Sequence, residues 1–257
     1  MKKRAISLSI LNALLIIAVI VVNALAVTLP LNGRSTGAIS DSFLALFVPA
    51  GYVFSIWGLI YIGLLAFGVY QLLPSQRANP RVRATDGWFA VSCIANCAWI
   101  FSWHYGVYWL SLGIMIVLLV SLLFIYTRMR AGSGMPAPSI ATRLLVRLPF
   151  SIYLGWISVA TIANASAVFS WAGFTGFGIP DPTWVVALCI VAALLSVGLS
   201  FRSRDIGYAA VILWALYGII VKQASYRPIV IGCWVAIGLT IVGIAAGFAA
   251  RPRRAAA

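Results

Sequence analysis

The chain has 257 residues, of which 63% are apolar and only 9% charged, against roughly 25% charged residues in an ordinary soluble domain. With a mean hydropathy of +1.05, that deficit excludes a soluble globular protein. The formal net charge of +14 is carried by Lys and Arg lying almost wholly between or beyond apolar stretches, so it reads as membrane topology and not as a nucleic-acid surface.

Apolar runs lie at about 5–29, 48–73, 88–105, 107–127, 145–169, 183–201, 206–221 and 229–250. A bilayer core of about 30 Å takes roughly 20 helical residues, so the pattern predicts an all-α integral membrane protein with eight transmembrane helices. The first run follows Met1-Lys2-Lys3-Arg4 and ends near Ala24-Leu25-Ala26, which imitates a secretory signal with its cleavage site. It is longer than a usual signal core, however, and Asn12 and Asn23 fall about three turns apart on one face, the mark of a retained, packed helix. If the amino terminus is cytoplasmic, the outer segments keep only Arg34, Lys222 and Arg227 of the eighteen basic residues, and fifteen lie inside. That asymmetry predicts both termini in the cytoplasm, in a membrane expected to be the bacterial inner one.

There is no Glu, and the four Asp are Asp41, Asp86, Asp181 and Asp205. Asp86, Asp181 (followed by Pro182) and Asp205 precede predicted helices and read as N-caps. None falls in mid-membrane, so neither a proton relay nor a paired-carboxylate hydrolase is indicated. The four cysteines, Cys93, Cys97, Cys189 and Cys233, lie within spans and read as small apolar residues. The lone histidine, His104, is expected in a turn, so no metal set is expected. Lys222 could suggest the Schiff-base lysine of a retinal pigment, but it sits in the polar connector Lys222-Gln223-Ala224-Ser225-Tyr226-Arg227 with no intramembrane carboxylate as counterion.

The aromatic residues are the remaining source of chemistry. Trp88, Trp109, Trp171, Trp184 and Trp234 fall near span ends and suit interfacial anchors. Deeper sets share helix faces: Phe54, Trp57 and Tyr61 in the second span; Asn96, Trp99 and Trp103 in the third; Trp156, Ala160 and Asn164 in the fifth. Counted at 1.5 Å per residue, Trp57, Asn96, Trp99 and Asn164 lie about 9 to 14 Å from the outer ends, with Trp156 nearer the midplane. If these faces converge they make an aromatic cavity with a few amide groups, suited to a flat apolar ligand. The alternative from spacing is an ordinary interface in which aromatics pack and amides pair.

The segment Pro49-Ala50-Gly51-Tyr52-Val53-Phe54-Ser55-Ile56-Trp57-Gly58-Leu59-Ile60-Tyr61 resembles the second-helix signature of the tryptophan-rich sensory protein, or translocator protein, family (TspO/MBR). Asn96-Cys97-Ala98-Trp99 is similar to the Asn-x-x-Trp of its third helix, and Trp156, Ala160 and Asn164 match its fifth. The resemblance covers about residues 1–170. It implies a five-helix bundle binding porphyrins, sterols or synthetic aromatic ligands in a pocket around Trp57, Asn96, Trp99, Trp156 and Asn164, covered by residues 30–48. Tyr52 stands where the family usually has Trp, and three added helices follow residue 182. The expected organisation is a five-helix core over 1–172, an outer connector over 173–182, and three additional helices with a basic tail over 183–257.

Gly132 to Pro138 reads as an inner loop. Gly243 and Gly247 form a GxxxG whose readings are packing within the chain or a homodimer seam. The functional expectation is a non-enzymatic membrane ligand-binding protein, sensor or carrier, for a tetrapyrrole or sterol-like molecule. Its candidate site is Phe54, Trp57, Tyr61, Asn96, Trp99, Trp103, Trp156 and Asn164, with no bound cofactor; the expected partners are the hydrophobic ligand, membrane lipids and, as one reading of the GxxxG, a second copy in a homodimer, and not nucleic acid. The alternatives are a permease for an apolar or amphipathic solute and, last, an enzyme acting on a tetrapyrrole.

Overall fold

The computed structural model describes residues 2–29, 31–130 and 137–250. The described residues are 83% helical and include no strand. Eight long helices organise them: α1 (Lys2–Thr28), α2 (Ile56–Leu72, entered through a 3-10 turn over Gly51–Ser55), α3 (Trp88–His104), α4 (Tyr108–Arg130), α5 (Leu148–Trp171, entered through a π turn over Arg143–Arg147), α6 (Asp181–Ser203), α7 (Ile206–Lys222) and α8 (Arg227–Ala249). The terminal arginines Arg251, Arg253 and Arg254, and most of the Gly132–Pro138 loop, lie outside the described residues.

Six segments have the length and apolarity of a membrane crossing: Ile6–Thr28, Gly51–Leu72, Tyr108–Arg130, Ile140–Trp171, Asp181–Leu199 and Arg227–Ala249. The expected eight spans are thus met by six. The other two, α3 and α7, have 17 residues each, about 25 Å at 1.5 Å per residue. α3 is also the more polar, carrying Ser92, Asn96, Ser102 and His104 on its buried side. The protein is a multi-pass integral membrane protein.

Local sequence explains the packing. On α4, Met115, Leu118, Leu122, Ile125 and Met129 recur every three to four residues and are buried, while Ile116, Val117, Val120, Leu123 and Phe124 are exposed. A helix apolar all round, with one face in the core and the other uncovered, is built for lipid. Gly106, at φ +77, ends α3 in the left-handed conformation that glycine adopts without a Cβ penalty, and α4 begins two residues later. α1 is tied in by amides: Asn12 Nδ2 donates to Gln71 Oε1 (3.1 Å), and Asn23 Nδ2 to Asn96 Oδ1 (2.7 Å).

Two N-cap expectations are corrected. Gly87, at φ +80, occupies the cap of α3 in place of Asp86, and Asp181 is the first residue within α6, where its charge faces the positive helix end. Asp205 does cap α7, accepting from the Tyr208 N–H at 3.1 Å.

The last three helices join the others along α7. A Cβ on Gly155 would meet the Tyr208 carbonyl oxygen at 3.1 Å, and one on Gly218 would overlap Val53 Cγ2, so α7 sits close against both α5 and the approach to α2. α6 and α8 pack along each other, with Gly243 facing Val197: an added Cβ would lie 2.6 Å from Cγ2 and 3.1 Å from Cα. Gly243 therefore serves packing within the chain, and the Gly247 carbonyl accepts from Arg204 Nε (3.0 Å). Overpacking of this kind costs about 1–3 kcal/mol, so Gly243→Val should lower the unfolding midpoint in detergent clearly while Gly238→Val, which meets open space, should not. Equal midpoints for the two variants would refute the close α6–α8 seam.

Candidate functional site

Six of the eight residues singled out from the sequence surround one cavity. Phe54 comes from the 3-10 turn that enters α2 and Trp57 from the first turn of α2, Trp99 and Trp103 from α3, and Trp156 and Asn164 from α5; Thr36, Ser40, Pro49, Val159, Ala160 and Ala163 complete the wall. The remaining two stand behind it. Tyr61 stacks on Trp57 (5.7 Å, 19°). Asn96 is fully buried and both ends of its amide are engaged, Oδ1 with Asn23 and Nδ2 with the Tyr153 hydroxyl (3.0 Å). Its role here is to join α1, α3 and α5.

The rings are ordered by edge-to-face and stacked contacts. Trp156 meets Phe54 (5.7 Å, 81°) and Trp57 (6.1 Å, 83°) edge-on, while Trp99 and Trp103 stack (5.9 Å, 20°). Such pairs contribute about 0.5–1.5 kcal/mol each beyond the burial of their area, which makes this a rigid wall. Its polar groups are few. Asn164 and Ser111 bond to each other (Nδ2 to Oγ, 3.2 Å), and Trp103 Nε1 donates to the Thr36 carbonyl (3.3 Å). The buried Nε1 donors of Trp99 and Trp156 have no hydrogen-bond partner.

The cavity holds about 40 Å³, enough for about three or four waters at roughly 10–15 Å³ each. A ring ligand therefore requires the wall or its cover to move. The cover is the segment 31–48, which contains the short helix Thr36–Ser40 capped by Ser35 Oγ.

Both margins of this cover are fastened. On the α3 side, His104 is the last helical residue and is buried, not in an open turn as its sequence position suggests. Its Nδ1 lies 3.0 Å from the Leu31 carbonyl and its Nε2 2.9 Å from Thr36 Oγ1. A carbonyl only accepts, so Nδ1 carries the proton and Nε2 can accept from the threonine hydroxyl. Asn32 Nδ2 also donates to the His104 carbonyl (3.0 Å). On the α7 side, Lys222 ends the helix and pairs with Asp41 (2.9 Å), Gln223 Nε2 donates to the Leu46 carbonyl (2.8 Å), and the Ala50 N–H to the Gly218 carbonyl (3.0 Å).

His104 and Thr36 were not among the sequence candidates. A histidine two residues before the Gly106 turn, opposite a Ser/Thr-rich loop, was the available signal. Among the described residues no three His, Cys, Asp or Glu side chains gather into a metal set.

The fold and this cavity define a helical membrane protein with a covered, tryptophan-lined chamber. A family model described as TSPO-like protein matches residues 9–246, and the chain belongs to that family. The match extends from α1 well into α8 and so includes the three last helices. No curated protein and no solved structure matches the chain.

Each net hydrogen bond contributes about 0.5–1.5 kcal/mol, so His104→Ala, which removes two from the cover, should raise amide exchange in residues 31–40 about tenfold or more. Hydrogen exchange read by mass spectrometry checks this. Unaltered exchange there would show that the histidine does not hold the cover.

Proposed function

We propose that this protein binds a flat, largely apolar ring compound of the tetrapyrrole or sterol-like class, as a sensor or carrier and not as an enzyme. The observation that supports this most is the convergence of Trp57, Trp99, Trp103, Trp156 and Phe54 on one cavity, with two unpartnered indole N–H donors beneath a fastened cover. Aromatic faces favour a planar partner, and the spare donors suit its few polar atoms. In this reading the five-helix part, about 1–172, carries the ligand, and the 183–257 part braces the cover through α7. The cover opens for entry, because the closed cavity is too small.

Binding is read directly from tryptophan fluorescence. Protoporphyrin should quench it saturably, and Trp57→Phe or Trp99→Phe should weaken binding by about 1 kcal/mol, near fivefold in Kd. Absence of saturable quenching by protoporphyrin, and of competition by a sterol, would remove this ligand class. The permease alternative would gain if proteoliposomes accumulated the compound against its gradient under an imposed pH, sodium or voltage difference. Asp41, Asp181, Asp205 and His104 all stand at helix ends or in connections, so passive equilibration is the expected result.

The proposed topology is eight crossings with both termini in the cytoplasm of a bacterial inner membrane, on the fifteen-to-three division of basic residues. A periplasmic phosphatase inserted in the 173–178 turn should be active, and one fused after Ala257 inactive. The opposite pattern would overturn the orientation.

A further inference from the structure

At the end of the bundle opposite the cover, Arg147 has two further arginines, Arg81 and Arg130, within electrostatic reach. Arg81 comes from the short helix Pro80–Arg83, Arg130 ends α4, and Arg147 closes the π turn that leads into α5. The first and last segments are pinned together through Thr142, whose hydroxyl meets Asn79 Nδ2 (3.4 Å) and the Tyr70 hydroxyl (3.1 Å). Arg147 lies in electrostatic reach of Arg130, Arg81 and Asp205.

Arg130 is engaged through both terminal nitrogens of its guanidinium. It pairs with Asp205 and donates to Ser151 Oγ (3.2 Å) and the Ser203 carbonyl (3.2 Å). Asp205 is occupied as well, accepting from Arg130, Ser151, the Tyr126 hydroxyl (2.7 Å) and the Tyr208 N–H (3.1 Å). Arg81 and Arg147 differ from Arg130. Neither takes part in the Arg130–Asp205 or Lys222–Asp41 ion pair. Arg81 is 9% exposed, and its buried Nε, like that of Arg147, has no hydrogen-bond partner.

A guanidinium held at a membrane edge for topology alone extends its head to water, as the exposed Arg77 and Arg83 are free to do. Burying one beside two others, with the nearby carboxylate already saturated, is unfavourable unless an anion completes the group. Fork-shaped donors are matched by the oxygens of a phosphate, and basic pockets between helices at a membrane face are suited to lipid headgroups.

We propose that Arg81 and Arg147 form a binding site for a phosphate-type oxyanion, with Arg130 and Asp205 as its fixed support. The oxyanion is the phosphate of an anionic phospholipid or a small phosphate from the aqueous side. Arg147 precedes Trp156 by nine residues, about 13 Å along the helix, so the site is separate from the tryptophan cavity and does not rest on the ligand assigned there.

Thermal unfolding of the full chain in a non-ionic detergent tests this with two probes: phosphatidylglycerol in mixed micelles, with diacylglycerol as its phosphate-free counterpart, and inorganic phosphate, with chloride at equal ionic strength. At least one probe should raise the midpoint saturably while its control does not, and which one does so identifies the source. The half-saturating concentration should rise tenfold or more in Arg81→Gln and Arg147→Gln and stay within twofold in Arg83→Gln. Arg147→Lys, which keeps the charge and loses the fork, should also weaken the response and stands in if a glutamine variant does not fold. No saturable shift with either probe, an equal shift with diacylglycerol or chloride, or an equal loss in Arg83→Gln would overturn the site.

Discussion

The hydrogen-bonded chain Asn23–Asn96–Tyr153 is the contact on which the rest of the bundle depends. In hydrocarbon an unpaired amide costs several kcal/mol, so these three groups must meet, and they meet only in one rotation of α1, α3 and α5. Because Trp99 follows Asn96 by three residues and Trp156 follows Tyr153 by three, the same rotation turns both indoles to one side. Tyr153 also touches the Trp57 ring edge-on at 6.0 Å. The polar chain thus sets the aromatic wall without lining it.

Lipid imposes a second constraint at the helix ends. α7 has 17 residues, fewer than the roughly 20 that cross a bilayer core unaided, and polar groups provide for both its ends. Asp205 satisfies the first turn and is itself held by Arg130, Ser151 and Tyr126, while Gln223 and Lys222 at the other end reach the cover. Glycines allow the close approach between: Gly155 and Gly207 where α5 and α7 touch, Gly218 where α7 meets Val53.

Much of this was legible in the sequence, because helices in lipid announce themselves by apolar length and the tryptophans recur at helical spacing. All eight helices were readable, and so were the shared faces of Phe54 with Trp57, Trp99 with Trp103, and Trp156 with Asn164. What the spacing could not decide was cavity against interface, and the structure contains both: Asn96 pairs away from the chamber while Trp99, one turn on, lines it. Periodicity gives a face about 100° wide, too coarse to separate neighbours on the same stripe. Long-range partners were equally beyond reach. Lys222 reads as a connector residue until Asp41, 181 positions away, is placed beside it, and Asp205 reads as a plain cap until Arg130 arrives from α4.

The two margins of the cover are built from different interactions. The α3 margin consists of hydrogen bonds between the buried His104 imidazole and Leu31 and Thr36, with others donated by Asn32 and Trp103. The α7 margin combines an exposed ion pair, Lys222–Asp41, with hydrogen bonds to the Leu46 carbonyl and from the Ala50 N–H. Exposed pairs contribute only about 0–1 kcal/mol and are screened by salt, whereas the close packing of Gly218 against Val53 and Pro49 is not. On the α7 side the cover is therefore held by shape and backbone bonding more than by charge. A family match that runs through α7 to residue 246 fits this geometry, since removing α7 would leave the cover fastened along one edge only.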